Sequence, residues 1–499
     1  MKIVFVENPR PLTLEHYNDV ANAPLSASLN SGYALAIARL AGWDNAYLDF
    51  TSHSGSADQM ADAILAEDGD LILFHWVYSW GHEQIVRDTL SLLRKECVSP
   101  IGAFGLFPTL ARQQLFQYVV DLDFIFFGEF EDTLDELLRT FRETQAIPAL
   151  AGIAFPDGTF KARPLINHLS HLPIPDDVGA NCSYSSMNIA ASRGCYGECS
   201  FCFIHRYYGC SRRRTRPLAS IEQELDVRLA RRSINSLYFV DPSFIGLGNQ
   251  ERERVTAISR MARERNLPFG CETRVDSITP ELLDILARNG ASSIFLGIES
   301  GCDSVLKRIG KRTTKQQAIQ AVRAVQRSGI QLTVGFIMFE PDSTLAEIQE
   351  NYEFLEQLGL LTHHDLTANL LYHNQIVLRG SAAWERFERD GRLLLDPLLP
   401  FEARYRFLDE RVGLVCAAMG QLSSAYFTRM DRYRKSGPGN STAVCCNHSV
   451  ENINDDALNM LLKDAFRDFC SASATLRPLT FKELVDRYLH QLQSVFQPM

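Results

Sequence analysis

Ser192-Arg193-Gly194-Cys195-Tyr196-Gly197-Glu198-Cys199-Ser200-Phe201-Cys202-Phe203 carries three thiols at a spacing suited to metal chemistry. Thiolates arranged Cys-x3-Cys-x2-Cys can hold three irons of a four-iron cluster, whereas the common ferredoxin patterns supply a cysteine to every iron. One iron is then left open to a chelating small molecule. Zinc competes for the same thiols, but it wants four ligands, commonly paired as Cys-x2-Cys knuckles, and no second knuckle lies close in sequence. Three buried structural cysteines would also satisfy the residue types, since free cysteine packs like a small hydrophobe. Arg193-Gly194, Phe201 and Phe203 beside the triad weigh against accident.

The elements that must position this loop follow from periodicity in a 499-residue chain, long enough for two or three domains. Residues 1–145 alternate short apolar runs with helical patterns, the mark of a parallel sheet covered by helices. The expected strands are 3–6, 46–50, 71–75, 101–104 and 124–127, and the expected helices are 32–41, 57–66, 83–95, 108–118 and 132–141. Residues 146–185 read as a linker with a hairpin at Pro156-Asp157-Gly158 and a proline-braced stretch at 172–177. From 186 to 390 the pattern repeats strand then helix, with strands expected at 187–192, 236–240, 269–274, 293–298, 331–338 and 366–371. Six such units make a partial (β/α)6 barrel, whose chemistry sits at the carboxyl ends of the strands. The cysteine loop follows the first of them. Residues 391–499 are mostly helical, with apolar positions at helical spacing in 407–427, 457–469 and 481–495, and read as a helical C-terminal cap that keeps water from the site. The expected fold class is α/β, with a Rossmann-like N-terminal domain, a central partial barrel and a helical C-terminal region.

The triad, with an aromatic residue just before its third cysteine, resembles the signature of the radical S-adenosylmethionine (SAM) superfamily. The resemblance covers about residues 1–390. It implies a [4Fe-4S] cluster on Cys195, Cys199 and Cys202, and cofactor contacts from Phe201 and Phe203. At later strand ends it implies Asp241 and Ser243 near the methionine ammonium, Arg274 on its carboxylate, Glu299 on the ribose and Ile337 stacked on adenine. Taken singly, Asp241 reads equally as a helix cap, Arg274 with Glu272 as a surface pair, and Glu299 as a turn residue.

The N-terminal region looks like the cobalamin-binding domain of one large branch of that superfamily, which implies cofactor contacts at Gly105, Thr109 and Gly128. Pro108, Glu129 and Glu131 also fit the branch's loops. The chain departs from them at Phe104, where glycine is usual, and at Phe107, where histidine is common. Phenyl groups there fill space that a corrin or its nucleotide tail needs. Asp49 and His53 stand at the wrong spacing for a lower axial ligand motif. Trp76, Tyr78 and Trp80 suit either a ligand wall or a domain interface.

The formal charge of −10 argues against a general nucleic-acid binder. The local run Arg212-Arg213-Arg214, with Arg216, reads as a solvated approach to a helix. No window is apolar enough for a membrane span, and the start reads as a strand rather than a signal peptide. A cytoplasmic protein with reduced thiols is expected. Cys445, Cys446 and His448 form an incomplete ligand set, read as a buried loop. The family resemblance implies an enzyme that cleaves SAM to a 5′-deoxyadenosyl radical and takes hydrogen from a small-molecule substrate. Its one-electron donor would be a flavodoxin, a ferredoxin or a partner reductase. Cobalamin-dependent C-methylation is the continuation expected, such as a natural-product methyltransferase performs. The alternatives are radical dehydration of an aminoglycoside-like sugar and, from another class, an iron–sulfur electron-transfer or sensor protein.

Overall fold

The computed structural model describes residues 1–10, 24–51, 55–77, 83–178, 185–395, 401–436, 454–475 and 478–496. Its first unit is a sheet of β1 (Lys2–Glu7), β2 (Asp44–Asp49), β3 (Leu71–His75), β4 (Ile101–Phe104), β5 (Phe124–Phe126) and β6 (Ile153–Ala154) in the order β2-β1-β3-β4-β5-β6. The first five are parallel and β6 runs antiparallel to β5. Parallel strands covered on both faces read as unbroken apolar runs, and Leu71-Ile72-Leu73-Phe74 is such a run, wholly buried. One face is covered by α1 (Pro24–Leu40) and later by α6 (Glu131–Thr144). The other carries α2 (Ala57–Leu65), α3 (Glu83–Glu96), α4 (Leu106–Ala111) and α5 (Gln113–Tyr118). The sixth strand comes from the stretch expected to be a linker. The single helix expected at 108–118 is two, parted at Arg112, where φ is +52°.

The second unit is a five-stranded parallel sheet of β7 (Ser186–Ile189), β10 (Ser236–Phe239), β11 (Phe269–Arg274), β12 (Ala291–Glu299) and β13 (Gln331–Phe336), ordered β13-β12-β11-β10-β7. Between β7 and β10, the short strands β8 (Ser192–Arg193) and β9 (Arg214–Thr215) pair with each other, antiparallel. The helices that alternate with these strands are Leu218–Arg231, Asn249–Glu264, Pro280–Arg288, Lys315–Ser328 and Leu345–Gln357.

The sixth barrel strand expected at 366–371 is instead the helix His364–Leu370. Its buried residues, His364, Thr367, Ala368 and Leu370, recur at helical rather than alternating spacing. Only an isolated parallel bridge, Phe339 to Asn374, continues the sheet on that side.

The helices Glu410–Ser436, Asp455–Ser473 and Pro478–Val495 spend their apolar faces on the flank of the barrel, in one core with it. Phe466 stacks on Tyr352 and leans on Phe339. Cys445, Cys446 and His448 lie outside the described residues. Among the described residues no helix is long and apolar enough to cross a membrane.

Thr344 accepts from the Glu347 N–H at the start of Leu345–Gln357, while the Glu347 carboxylate accepts from the Thr344 N–H. Thr344→Ala removes this cap. It is expected to cost about 1 kcal/mol, read as a lower urea midpoint at unchanged slope.

Candidate active site

The cysteine loop leaves the barrel at β8 and returns at β9, so its two ends are tied by the register Ser192 to Thr215 and Arg193 to Arg214. Gly194 makes the first turn at φ +82°, where a Cβ would stand 2.4 Å from the Arg212 carbonyl oxygen. No other residue fits there. Further along, the Ser200 N–H donates to the Ile309 carbonyl and the Ala383 N–H donates to the Ser200 carbonyl. Phe201 packs on Val305, Leu306 and Ile309 of the barrel side, and Phe203 joins the core beneath the N-terminal sheet. The loop is therefore held from both units.

Cys195, Cys199 and Cys202 all line one cavity of about 320 Å³ between the N-terminal sheet and the barrel. Among the described residues, His363, His364 and Asp455 form a separate group whose ligand atoms lie within 4.8 Å of one another. Burial pushes the Cys195 thiol up, and burial together with the neighbouring thiols pushes Cys202 up to about 12. Metal binding must therefore release protons here.

Positive charge faces the sulfurs. The Arg274 guanidinium donates to Cys199 Sγ at 3.6 Å and to the Lys311 carbonyl at 2.6 Å, and it pairs with Asp276. Lys311 Nζ lies 2.8 Å from Glu299 Oε1. Arg274, Glu299 and Lys311 line the cavity with Phe201 and Phe203. Arg274 is thus partnered by Asp276 and not by Glu272.

Glu272, expected as half of a surface pair with Arg274 and not as a site residue, also lines the cavity. Its carboxylate makes no ion pair; Tyr238 donates to Oε1 at 3.2 Å. Burial pushes its pKa up to about 7, against the Tyr238 bond, which lowers it. Its place on β11, two residues before Arg274 and so on the same face, is the signal that would have found it.

Three of the expected contact residues, Asp241, Ser243 and Ile337, are not among the residues that line the cavity. The Asp241 carboxylate is fully buried, accepting from the Ala191 N–H at 2.9 Å and from the Ser192 hydroxyl, so it braces the step from β7 to β8. The Ser243 hydroxyl donates to the Ile245 carbonyl. Ile337 is buried beside the site, its N–H donating to the Glu299 carbonyl. Val240 and Pro242 are the residues of that segment that reach the cavity.

The arginine run is not solvated, against expectation, apart from Arg212. Arg213 pairs with Glu251, Arg214 with Glu129 and Arg216 with Glu224. Glu129 also takes Arg193 at 2.9 Å, and Arg193 reaches on to Glu131. Burial alone would push the Glu129 carboxyl up, but Arg193 and Arg214 outweigh it and hold the group below its usual range.

On the N-terminal side the cavity wall includes Leu29, Tyr33, Val77 and Leu106. The expected C-terminal cover is not there: among the described residues, none beyond Lys311 lines the cavity. The N-terminal sheet covers it instead. Gly105, Thr109 and Gly128 are bonded to protein: the Thr109 hydroxyl donates to the Gly105 carbonyl and accepts from the Gly128 N–H, and Tyr207 donates to the Gly128 carbonyl. Trp76 is buried against Phe107, an interface role, while His53, Tyr78 and Trp80 lie outside the described residues.

Residues 189–355, a stretch that includes the cysteine loop and most of the barrel, match the model of the radical SAM superfamily. Among solved structures, the cobalamin-dependent SAM radical enzyme OxsB with aqua-cobalamin and SAM bound aligns over 94% of this chain and 71% of its own, with a TM-score of 0.73 at 20% identity. The radical SAM methyltransferase TsrM from Kitasatospora setae aligns over 97% of this chain and 99% of its own, with a TM-score of 0.65 at 14% identity. The shared architecture is thus a Rossmann-like sheet, a partial parallel barrel and a helical C-terminal region. Among curated relatives, the 4′-phospho-dehydrooxetanocin synthase of Priestia megaterium is 29% identical over 346 residues, 60% of this chain and 46% of that protein. The hopanoid C-2 methylase of Rhodopseudomonas palustris is 28% identical over 284 residues, 56% of this chain and 51% of that protein. The chain spans about half the length of these two relatives.

The donor set fits an iron–sulfur cluster: three thiols from one loop, two buried and one half-buried, on one cavity with Arg274 and Lys311 beside them. Lys311→Met would leave Glu299 facing the cavity without its cation. Because that carboxylate keeps 13% of its side-chain surface open, the expected loss is roughly 2 kcal/mol, below the usual range for a broken buried pair, measured by urea unfolding of the metal-free chain.

Proposed function

We propose that this protein is a radical SAM enzyme acting on a small molecule held between its N-terminal sheet and its barrel. The observation that carries this is the convergence of three thiols from one loop onto an interdomain cavity, with no fourth cysteine or histidine among its lining residues in the described part of the chain. Cys195, Cys199 and Cys202 would hold the cluster, which with SAM and an external one-electron donor would supply the 5′-deoxyadenosyl radical chemistry that takes hydrogen from an unactivated carbon.

The chain's own part is position, charge and exclusion. Arg274 and Lys311 set positive charge beside the sulfurs and meet the SAM carboxylate. Glu299, held by Lys311, is the acceptor for ribose hydroxyls. From the N-terminal sheet Tyr33, Val77 and Leu106 close the side facing solvent, which keeps water and stray hydrogen donors from a carbon radical. Glu272, the carboxyl in this wall with no ion pair, holds or receives a proton at a substrate hydroxyl or faces a substrate ammonium. A pKa of about 7 lets it serve in either state near neutrality. Asp241 and Ser243 shape the backbone at the Pro242 turn rather than offering side chains.

Methyl transfer is the continuation the relatives' names point to. Loss of water from the substrate radical, or its oxidation, is favoured by the filled crevice at the carboxyl ends of β1 and β3. The test is anaerobic reconstitution with iron and sulfide, followed by dithionite and SAM. The parent is expected to form 5′-deoxyadenosine, and Cys195→Ala, Cys199→Ala and Cys202→Ala each to abolish it. Equal product from parent and triad variants would sink the proposal.

A further inference from the structure

A sheet ordered β2-β1-β3-β4-β5 reverses direction between β1 and β3, and the crevice beyond their carboxyl ends is where such folds take a ligand. Here Glu7 closes β1 and His75 closes β3. His75 Nδ1 lies 2.8 Å from Glu7 Oε1, Arg10 Nη2 lies 2.9 Å from Glu7 Oε2, and the Ser31 hydroxyl donates to Glu7 Oε1. All four side chains are buried. Next to them the His75 ring stacks on Phe104 at 4.8 Å, and Phe104 packs on Phe130 at 4.7 Å. Gly105, the one glycine left of the usual pair, is already covered: a Cβ there would meet His75 Cδ2 and the Trp76 carbonyl oxygen, each at 2.9 Å. A glycine kept for a cofactor's close approach would face open space instead. Phe107 turns the other way, onto Trp76 and Phe401.

We infer that the N-terminal sheet binds no cobalamin: its switch-point crevice is filled by the chain's own Glu7–Arg10–His75 ion cluster and the Phe104 ring, and its outer loops grip the cysteine loop instead. A corrin tail entering between β1 and β3 would have to part the buried Glu7 carboxylate from Arg10 and His75 and unstack His75 from Phe104. The residues that would touch the cofactor from the β4 and β5 loops, Gly105, Thr109 and Gly128, are bonded to one another and to Tyr207 of the cysteine-loop helix Ile204–Tyr207. The space beside the cluster then belongs to SAM and the substrate alone. This rests on the radical SAM reading above, and it removes cobalamin-dependent methyl transfer from the reactions open to the enzyme.

The test is to express the full chain in cells supplied with hydroxocobalamin, purify it anaerobically and offer hydroxocobalamin again during iron and sulfide reconstitution. After gel filtration, bound corrin is measured by its visible bands and by mass spectrometry of the extract, and 5′-deoxyadenosine formation is assayed on the same sample. The expected result is corrin at the background of an unrelated iron–sulfur protein treated alike, with 5′-deoxyadenosine formed. Stoichiometric corrin overturns the inference whether or not SAM is cleaved. Background corrin with no 5′-deoxyadenosine from a cluster-loaded chain sinks the radical SAM reading and leaves the filled-crevice inference standing. In a second arm, Phe104→Gly is expected to leave SAM cleavage unchanged and corrin still at background, because the ion cluster remains. Corrin retained by Phe104→Gly but not by the parent overturns the part of the inference that gives the Glu7–Arg10–His75 cluster a blocking role.

Discussion

Arg193 and Arg214 bracket the cysteine loop, and the charge that neutralises both comes from the N-terminal sheet. Glu129 takes the two guanidinium groups together, and Glu131 takes the outer edge of Arg193. Arginine cannot shed its proton to escape burial, so each of these cations demands its carboxylate. The pairing also fixes register, because Arg193 and Arg214 face one another across β8 and β9. Tyr33 and Tyr208 lie under the two guanidinium planes and exclude water from them. The loop that carries the thiols is thereby referenced to two sheets at once, and the cavity between those sheets owes its shape to that junction.

A Rossmann-like sheet ahead of a radical SAM barrel has two kinds of surface to spend at its strand ends. One can house a cofactor and the other can hold the barrel. In this chain the β4 and β5 loops are spent on the barrel through Thr109, Gly128, Glu129 and Glu131, while the crevice of β1 and β3 is closed by its own side chains. Charge explains the division. Glu7 sits fully buried with its pKa lowered to about 2, burial pushing it up while His75 and Arg10 pull it further down. Its contribution to stability is therefore present above the ordinary carboxylate range and fades only as pH falls toward 2.

Periodicity and local spacing carried most of this into view. The triad, the order of strands and helices in both sheets, and the three C-terminal helices follow from patterns within a few residues of one another. What stayed hidden depends on partners distant in sequence. Arg213, Arg214 and Arg216 have the composition of a solvated run, and only the fold brings Glu251, Glu129 and Glu224 to them. Asp241 stands at a strand end as a ligand should, yet the fold turns it to Ala191 and Ser192. Glu272 looked like one half of a pair with Arg274, until Asp276 proved nearer. The segment 364–370 is apolar enough for a strand, and its helix is decided by which residues the neighbouring C-terminal helices bury. The C-terminal region was expected over the site because a radical needs cover; the cover comes from the other end of the chain.

The junction is tested most directly by electron paramagnetic resonance of the reduced, reconstituted protein, comparing the parent with Glu129→Gln, each with and without SAM. If Glu129 holds the cysteine loop in place, the parent's cluster signal shifts when SAM is added, and Glu129→Gln binds less iron and loses that shift. A variant that keeps the parent's iron content and the parent's response to SAM would contradict the account, because the cysteine loop would then hold its geometry without the charge supplied by the other sheet.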